Sequence, residues 1–179
     1  MLRIRFHGRS GQGMKTASRI LGAAAFHAGC VVQDAPVYGA ERRGAPMAAF
    51  TRIAHAPILE RGAIMQADLV VVADDTLFTE LAAQLLAGCD GHCVVLVNST
   101  RDAAALRHIT HHGGRLLVAD FTALALDLTQ TLAGLSTAMG TAAAHMVGLS
   151  LEDSLAGLNA ELDEVQLNPA ERHANLQLV

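Results

Sequence analysis

The sequence predicts a three-layer α/β/α fold with a mostly parallel central sheet, one strand of which is placed to make it mixed. Three observations carry this. Apolar strands alternate with helical stretches along most of the chain, the pattern of a sheet covered on both faces. Several strands are near-continuous apolar runs such as "LVVV" and "CVVLV", which suits strands buried on both sides. Aromatic residues are few, five Phe and one Tyr with no Trp, so the core is built from Leu, Val, Ile and Ala, and Ala-rich helices can lie close on a sheet.

The elements follow in order. "LRIRFH" is a short strand that ends at a glycine turn, and residues 14–28 form an Ala-rich helix closed by Gly29. "CVVQD" is a second strand. The stretch "APVYGAERRGAP" is a loop, and "MAAFTRI" beyond it is a strand reached without an intervening helix, hence a candidate to run antiparallel. "ADLVVVADD" is a buried strand with a polar end, followed by an expected helix over residues 76–87. "HCVVLVNST" is a strand that leads to a helix start at Ser99 or Thr100, with the helix over residues 101–112 stopped by Gly113 and Gly114. "RLLVAD" is the last clear strand. Helices dominate residues 121–162, with Ser150 and Asp153 forming a capping-box variant. Residues 1–162 are expected to be one α/β domain and residues 163–179 a docking segment.

Composition narrows the function. Half of the 179 residues are apolar (51%) and 17% are charged, which argues for a real core and against disorder. A formal charge of −4 argues against a nucleic-acid binder. The N-terminus lacks the apolar core of a signal peptide and no apolar run approaches a membrane span, so a cytoplasmic location is expected. The three cysteines, Cys30, Cys89 and Cys93, are too few for a four-cysteine cluster or zinc site and are expected to be buried free thiols. No metal site is expected. His108, His111 and His112 fall around a helix end, where capping carbonyls or facing solvent suits them better than ligating a metal, and His145 sits in an Ala-rich helix.

The chemistry concentrates in loops at the carboxyl ends of the strands. "HGRSGQGMKT" has Gly8 and Gly13 at P-loop spacing, but Met14 precedes Lys15 and Thr16 and turns both by about 100° away from any phosphate. As a dinucleotide turn it has Ser10 where the middle glycine belongs and Gln12 between two glycines, while Asp34 stands near the place of a ribose-binding acid. The turn either presents amides at a helix N-terminus to an anion or simply joins strand to helix, and spacing does not separate the two. Asp74 and Asp75 are neighbours on a strand end and point apart, so they are no acid/base dyad. No Ser-His-Asp or Cys-His set can be assembled, and no catalytic residue is assigned. In the second loop Tyr38, Gly39, Gly44 and Pro46 frame Glu41, Arg42 and Arg43, a set suited to an anion or an acidic partner surface.

Taken together, "RFHGRSGQGMKTAS" and "YGAERRGAPMAAFTRI" resemble the γ subunit of the 2-oxoacid:ferredoxin (acceptor) oxidoreductases, the pyruvate:ferredoxin oxidoreductase family. Gly8, Gly11, Gln12 and Gly13 match its glycine loop, with Ser10 in place of a glycine, and Glu41, Arg43, Gly44 and Pro46 match its second loop. The resemblance covers roughly residues 1–150. It implies a multisubunit enzyme that oxidatively decarboxylates a 2-oxoacid, usually to an acyl-CoA, and passes electrons to ferredoxin or another acceptor. It implies thiamine diphosphate and [4Fe-4S] clusters held by α, β and ferredoxin-like δ subunits, with CoA as a co-substrate. Gly8, Ser10, Gly11, Gln12, Gly13, Arg42 and Arg43 are the candidate cofactor-facing residues, and Tyr38, Gly39, Glu41, Gly44 and Pro46 shape the loop or an interface. Two alternatives stay open: a stand-alone NAD-dependent oxidoreductase using Asp34, and a non-catalytic scaffold.

Overall fold

The structure, a computed structural model, describes residues 1–37, 44–80, 83–165 and 167–179. The strands β1 (Leu2–Arg9), β2 (Val31–Val37), β3 (Pro46–Ala54), β4 (Leu69–Val72), β5 (Val94–Asn98) and β6 (Leu116–Ala119) form one sheet in the order β2-β3-β1-β4-β5-β6. β1, β4, β5 and β6 are parallel neighbours, whereas β3 lies between β1 and β2 and runs antiparallel to both. The sheet is therefore mixed, because the eight residues between β2 and β3 are too few for the crossover connection that a parallel pair needs. β2 also runs three residues beyond Asp34, where the sequence pattern ended it.

The residue pattern explains the layers. β4 reads Leu-Val-Val-Val and is buried throughout, with Leu69 and Val71 in one core and Val70 and Val72 in the other. β1 alternates: Ile4 and Phe6 enter the first core, and Arg3, Arg5, His7 and Arg9 take the opposite face. Helices α1 (Met14–His27) and α4 (Gly134–Met146), with α3 (Phe121–Thr129), cover the first core. Helix α5 (Leu151–Asp163) lies on α1, and there a Cβ on Gly157 would stand 2.5 Å from the Ala24 nitrogen, so the helices meet at backbone contact. Helix α2 (Ala103–Thr110) and a 3₁₀ turn at Asp75–Thr79 cover the second core.

Helix α6 (Pro169–Leu176) opens on a capping box of Asn168 and Glu171. Its end returns to α4, where Thr137 donates to Asn175 (2.8 Å) and Thr141 to the Leu178 carbonyl (3.0 Å). The capping box of Ser150 and Asp153 opens α5 as the sequence predicts.

Two helix expectations are corrected. The described residues of 76–87 do not form an α-helix: beyond the 3₁₀ turn their backbone is irregular, with Gln84 and the following Gly88 at positive φ. Arg5 accounts for this at its far end: its buried guanidinium donates to the carbonyls of Leu85 and Ala87 (both 2.8 Å), so these carbonyls serve a cation instead of a helical amide. The helix expected over residues 101–112 is shorter, and Asp102 caps it through the Ala105 amide (2.7 Å). Ser99 is engaged elsewhere, donating to Asp75 (2.5 Å), and His111, not a glycine, takes the left-handed residue at the helix end.

Candidate functional site

The glycine turn joins β1 to α1 at the carboxyl edge of the sheet, beside the strand order's reversal between β1 and β4, where open α/β sheets bind ligands. Gly8 is the last but one residue of β1, and a Cβ there would stand 2.7 Å from Met14 Cγ and 3.1 Å from Gln12 Oε1. Gly13 caps α1 with φ of 73°, and a Cβ there would meet Ser136 at 2.7 Å. Both positions thus require glycine, one for close approach and the other for conformation as well. Ser10 is not among the described residues with positive φ, so a side chain is tolerated where the family resemblance has glycine.

Gln12 is the clasp of the turn. Its Oε1 accepts the Arg9 amide (2.7 Å), its own amide donates to the Arg9 carbonyl (2.9 Å), and its Nε2 donates to Asp74 (3.3 Å). The Ser10 amide donates to the Ala45 carbonyl (2.9 Å) and the Gly44 amide to the Ser10 carbonyl (3.3 Å), so the glycine turn and the start of the second motif are stitched together. Pro46 opens β3 opposite Arg9. Gly8, Ser10, Gly11, Gln12, Gly13, Gly44 and Pro46 therefore assemble at one end of the sheet. Tyr38, Gly39, Glu41, Arg42 and Arg43 lie outside the described residues.

Arg9 is the residue that sequence reasoning missed. It pairs with Asp74 (2.9 Å) and Glu80 (2.6 Å) and donates to Thr76 Oγ1 (2.6 Å) and the Gly44 carbonyl (3.3 Å), tying the loops after β1 and β4 to the base of the second loop. The available signal was the alternation "RIRFHGR", which sets four basic side chains on one face of β1. Against its burial, bonds from the Thr76 hydroxyl and amide and from Arg9 hold the Asp74 carboxyl below the usual carboxylate range.

A cleft of about 430 Å³ opens beside this junction over the ends of β4, β5 and β6. Its described lining includes Gln12, Asp74, Asp75, Asn98, Ser99, Asp120 and Thr122, and among the described residues no Lys or Arg side chain lines it. Asn98 is spent on structure, donating to the Ala73 carbonyl (2.9 Å) and Thr122 (2.8 Å) and accepting the Thr122 amide (3.1 Å). Asp75 pairs with Arg101 (3.3 Å) and Asp120 caps α3. Among the described lining residues three are carboxylates, two of them paired with Arg9 and Arg101, so this lining offers a polyanion no unpaired cation. An anion at this edge would instead meet Gly11, Gly13 and the first turn of α1, since the Arg9, Ser10 and Gln12 amides are engaged within the loops.

Asp34 does not reach the turn. β3 separates β2 from β1, and the carboxylate accepts hydroxyl hydrogen bonds from Ser18 and, at 3.4 Å, from Thr51. Burial raises its pKa against those bonds. A dinucleotide site needs β1 and β2 adjacent, so this geometry argues against the NAD reading. Among the described residues no group of three or more His, Cys, Asp or Glu side chains is placed to hold a metal, and no helix is long and apolar enough to cross a membrane. His112 instead bonds the Cys93 carbonyl (2.9 Å).

A family model described as pyruvate ferredoxin/flavodoxin oxidoreductase matches residues 3–172. Pyruvate synthase subunit PorC of Thermotoga maritima is 46% identical over 124 residues, spanning 69% of this chain and 63% of that one. The crystal structure of that organism's pyruvate oxidoreductase subunit PORC aligns with a TM-score of 0.83 at 34% identity over 99% of this chain and 92% of the other. The pyruvate/ketoisovalerate oxidoreductases common subunit gamma of Thermococcus kodakarensis is 36% identical over 169 residues, 90% of each chain. In fold alone, the chain also resembles 29% of a longer chain in 2-oxoglutarate:ferredoxin oxidoreductase from Magnetococcus marinus, a structure with 2-oxoglutarate, coenzyme A and succinyl-CoA bound (TM-score 0.76, 14% identity, 99% of this chain).

Proposed function

The chain belongs to the pyruvate ferredoxin/flavodoxin oxidoreductase family as a γ-type subunit of its 2-oxoacid oxidoreductases, and from that premise we propose how it serves the complex. It works in the cytoplasm with α, β and ferredoxin-like δ subunits that decarboxylate a 2-oxoacid oxidatively and deliver electrons to ferredoxin or another acceptor. Thiamine diphosphate and the [4Fe-4S] clusters sit on those partners. The donor set of this chain agrees with that division, because three cysteines do not supply the four thiolates of a cluster.

The contribution of this chain is the edge at which its two loop motifs meet. Gly11, Gly13 and the start of α1, with Arg42 and Arg43 from the second loop, face a phosphate of CoA, while Ser10 and Gly44 hold the two loops in register. CoA supplies the thiol that takes up the acyl group; the residues here bind and orient its anionic part. The supporting observation is the pair of backbone bonds between Ser10 and residues Gly44 and Ala45, which makes the glycine turn and the root of the arginine loop one unit. The cleft over β4 to β6 is left out of this role, as its described lining offers carboxylates and no cation.

In the assembled enzyme Arg43→Ala is expected to raise the apparent KM for CoA about tenfold, with kcat at saturating CoA little changed, the signature of lost ground-state binding. An unchanged KM with normal assembly overturns the CoA role. A second reading, that these loops only dock partner subunits, is favoured by the internal engagement of the Arg9, Ser10 and Gln12 amides. It predicts impaired assembly of the same variant with unaltered kinetics once assembled.

A further inference from the structure

At the opposite edge of the sheet from the loops, the segment Cys89-Asp90-Gly91-His92-Cys93 leads into β5. The two sulfurs stand 3.3 Å apart, with Cys93 Sγ donating to Cys89 Sγ. Arg5 completes the group: its Nη2 donates to Cys89 Sγ at 3.1 Å, and its guanidinium is anchored by the carbonyls of Leu85 and Ala87. Arg5 is almost fully buried, so its charge acts on the sulfur through little intervening water. Cys93 is 1% exposed, whereas Cys89 is half-buried at the edge of the second core.

This is more order than two unrelated buried thiols need. A cation on one sulfur of a pair, with the second sulfur in contact behind it, divides the roles: the less buried thiol is activated as a thiolate and the more buried one waits to attack it. Hydrogen bonding from Cys93, opposed by burial and assisted by Arg5, pulls the Cys89 thiol below the ordinary thiol range, while the same contact and burial push Cys93 up.

We propose that Cys89 and Cys93 form a reversible dithiol/disulfide modification site, with Cys89 the sulfur attacked by hydroperoxides and Cys93 the resolving thiol. In the first step the Cys89 thiolate attacks the terminal oxygen of a hydroperoxide. The S–O bond forms, the O–O bond breaks, and the alkoxide or hydroxide leaves and takes a proton to become an alcohol or water. In the second step Cys93 attacks the sulfenic sulfur of Cys89. The S–S bond forms, the S–O bond breaks, and the departing hydroxide takes the Cys93 proton to leave as water. Two electrons pass from the thiol pair to the peroxide, and an external dithiol returns them by exchange.

The local backbone permits the closure. The sulfurs must approach from 3.3 Å to about 2.05 Å. Asp90, Gly91 and His92 between them are exposed, and a Cβ on Gly91 would meet nothing within 4 Å, so the connecting segment has room to shift. So short a ring constrains the unfolded chain little, which makes the bond a reducible mark and not a structural staple.

The test is graded hydrogen peroxide on the full-length chain purified without air, followed by differential alkylation and peptide mass spectrometry, with Cys30 as internal reference. The Cys89–Cys93 peptide is expected to lose two hydrogens at least about tenfold faster than Cys30 is modified, and to regain them with dithiothreitol. Cys93→Ser is expected to stop at a Cys89 sulfenic acid that dimedone traps. Because replacing Arg5 risks the fold, Arg5→Lys, which keeps a cation, is the paired variant, with slower oxidation expected and the far-ultraviolet spectrum unchanged. Oxidation of Cys30 as fast as the pair, or direct passage of Cys89 to a sulfinic acid that dithiothreitol does not reverse, overturns the proposal.

Discussion

His7 shows how one residue couples this fold to pH. It is 6% exposed in the middle of the sheet, with Nε2 buried and unpaired. Burial first, and the charge of neighbouring Arg5 second, lower its pKa from 6.5 to about 4. The folded chain therefore holds a neutral imidazole at pH values where the unfolded chain protonates. Stability is fully present above pH 6.5 and is lost as pH falls toward 4. The two values correspond to about 3 kcal/mol over that interval. Urea unfolding of the wild type and of His7→Leu from pH 7 down to 4 is expected to give profiles that diverge by about that amount, the variant being flatter. Parallel profiles would reject the assignment.

Other single residues explain what sequence reading reached and what it did not. Gly8 and Gly13 were legible because each serves its own turn. Arg9 was not, because its partners Gly44, Asp74 and Glu80 are 35, 65 and 71 residues away. Ser99 looked like a helix start until Asp75, from another strand end, took its hydroxyl. Asp34 stood at the right distance along the chain for a ribose and at the wrong place in the sheet.

Elements that depend on their own residues were readable, and those that depend on a distant one were not. The apolar runs of β4 and β5 need no partner to be recognised, and the capping box of α5 is local. The segment after the 3₁₀ turn has helix-forming residues, yet Arg5 of β1 takes its carbonyls. Between elements, the tightest joint is α1 on α5. Gly157→Ala places a methyl carbon 2.5 Å from the Ala24 nitrogen and 2.6 Å from the Ile20 oxygen, both backbone atoms that cannot turn aside. A loss of about 1–3 kcal/mol is expected in denaturant unfolding. Gly113→Ala, where a Cβ meets nothing within 4 Å, is expected to change stability by less than about 0.5 kcal/mol. Equal effects of the two would mean that helix contact is not the cause.

For the whole molecule, the last residues close a third small core. Ile20, Leu158 and Leu162 are buried under Leu167, Leu176 and Val179, and Leu178 is 7% exposed. Removing residues 167–179 is expected to cost about 2–5 kcal/mol and to leave the sheet intact, read as a lower Tm with an unchanged strand signature in circular dichroism. A truncated chain as stable as the full one would make this segment an appendage.

The antiparallel placement of β3 has a consequence of another kind. Because β2 and β3 are antiparallel neighbours and β3 also pairs with β1, the two ends of their connection are fixed by ladders outside it: Val37 opposite Ala48 on one side and Arg9 opposite Pro46 on the other. Changes of length or charge between those two anchors therefore fall outside the ladders, and the pairings of β1, β2 and β3 do not depend on them.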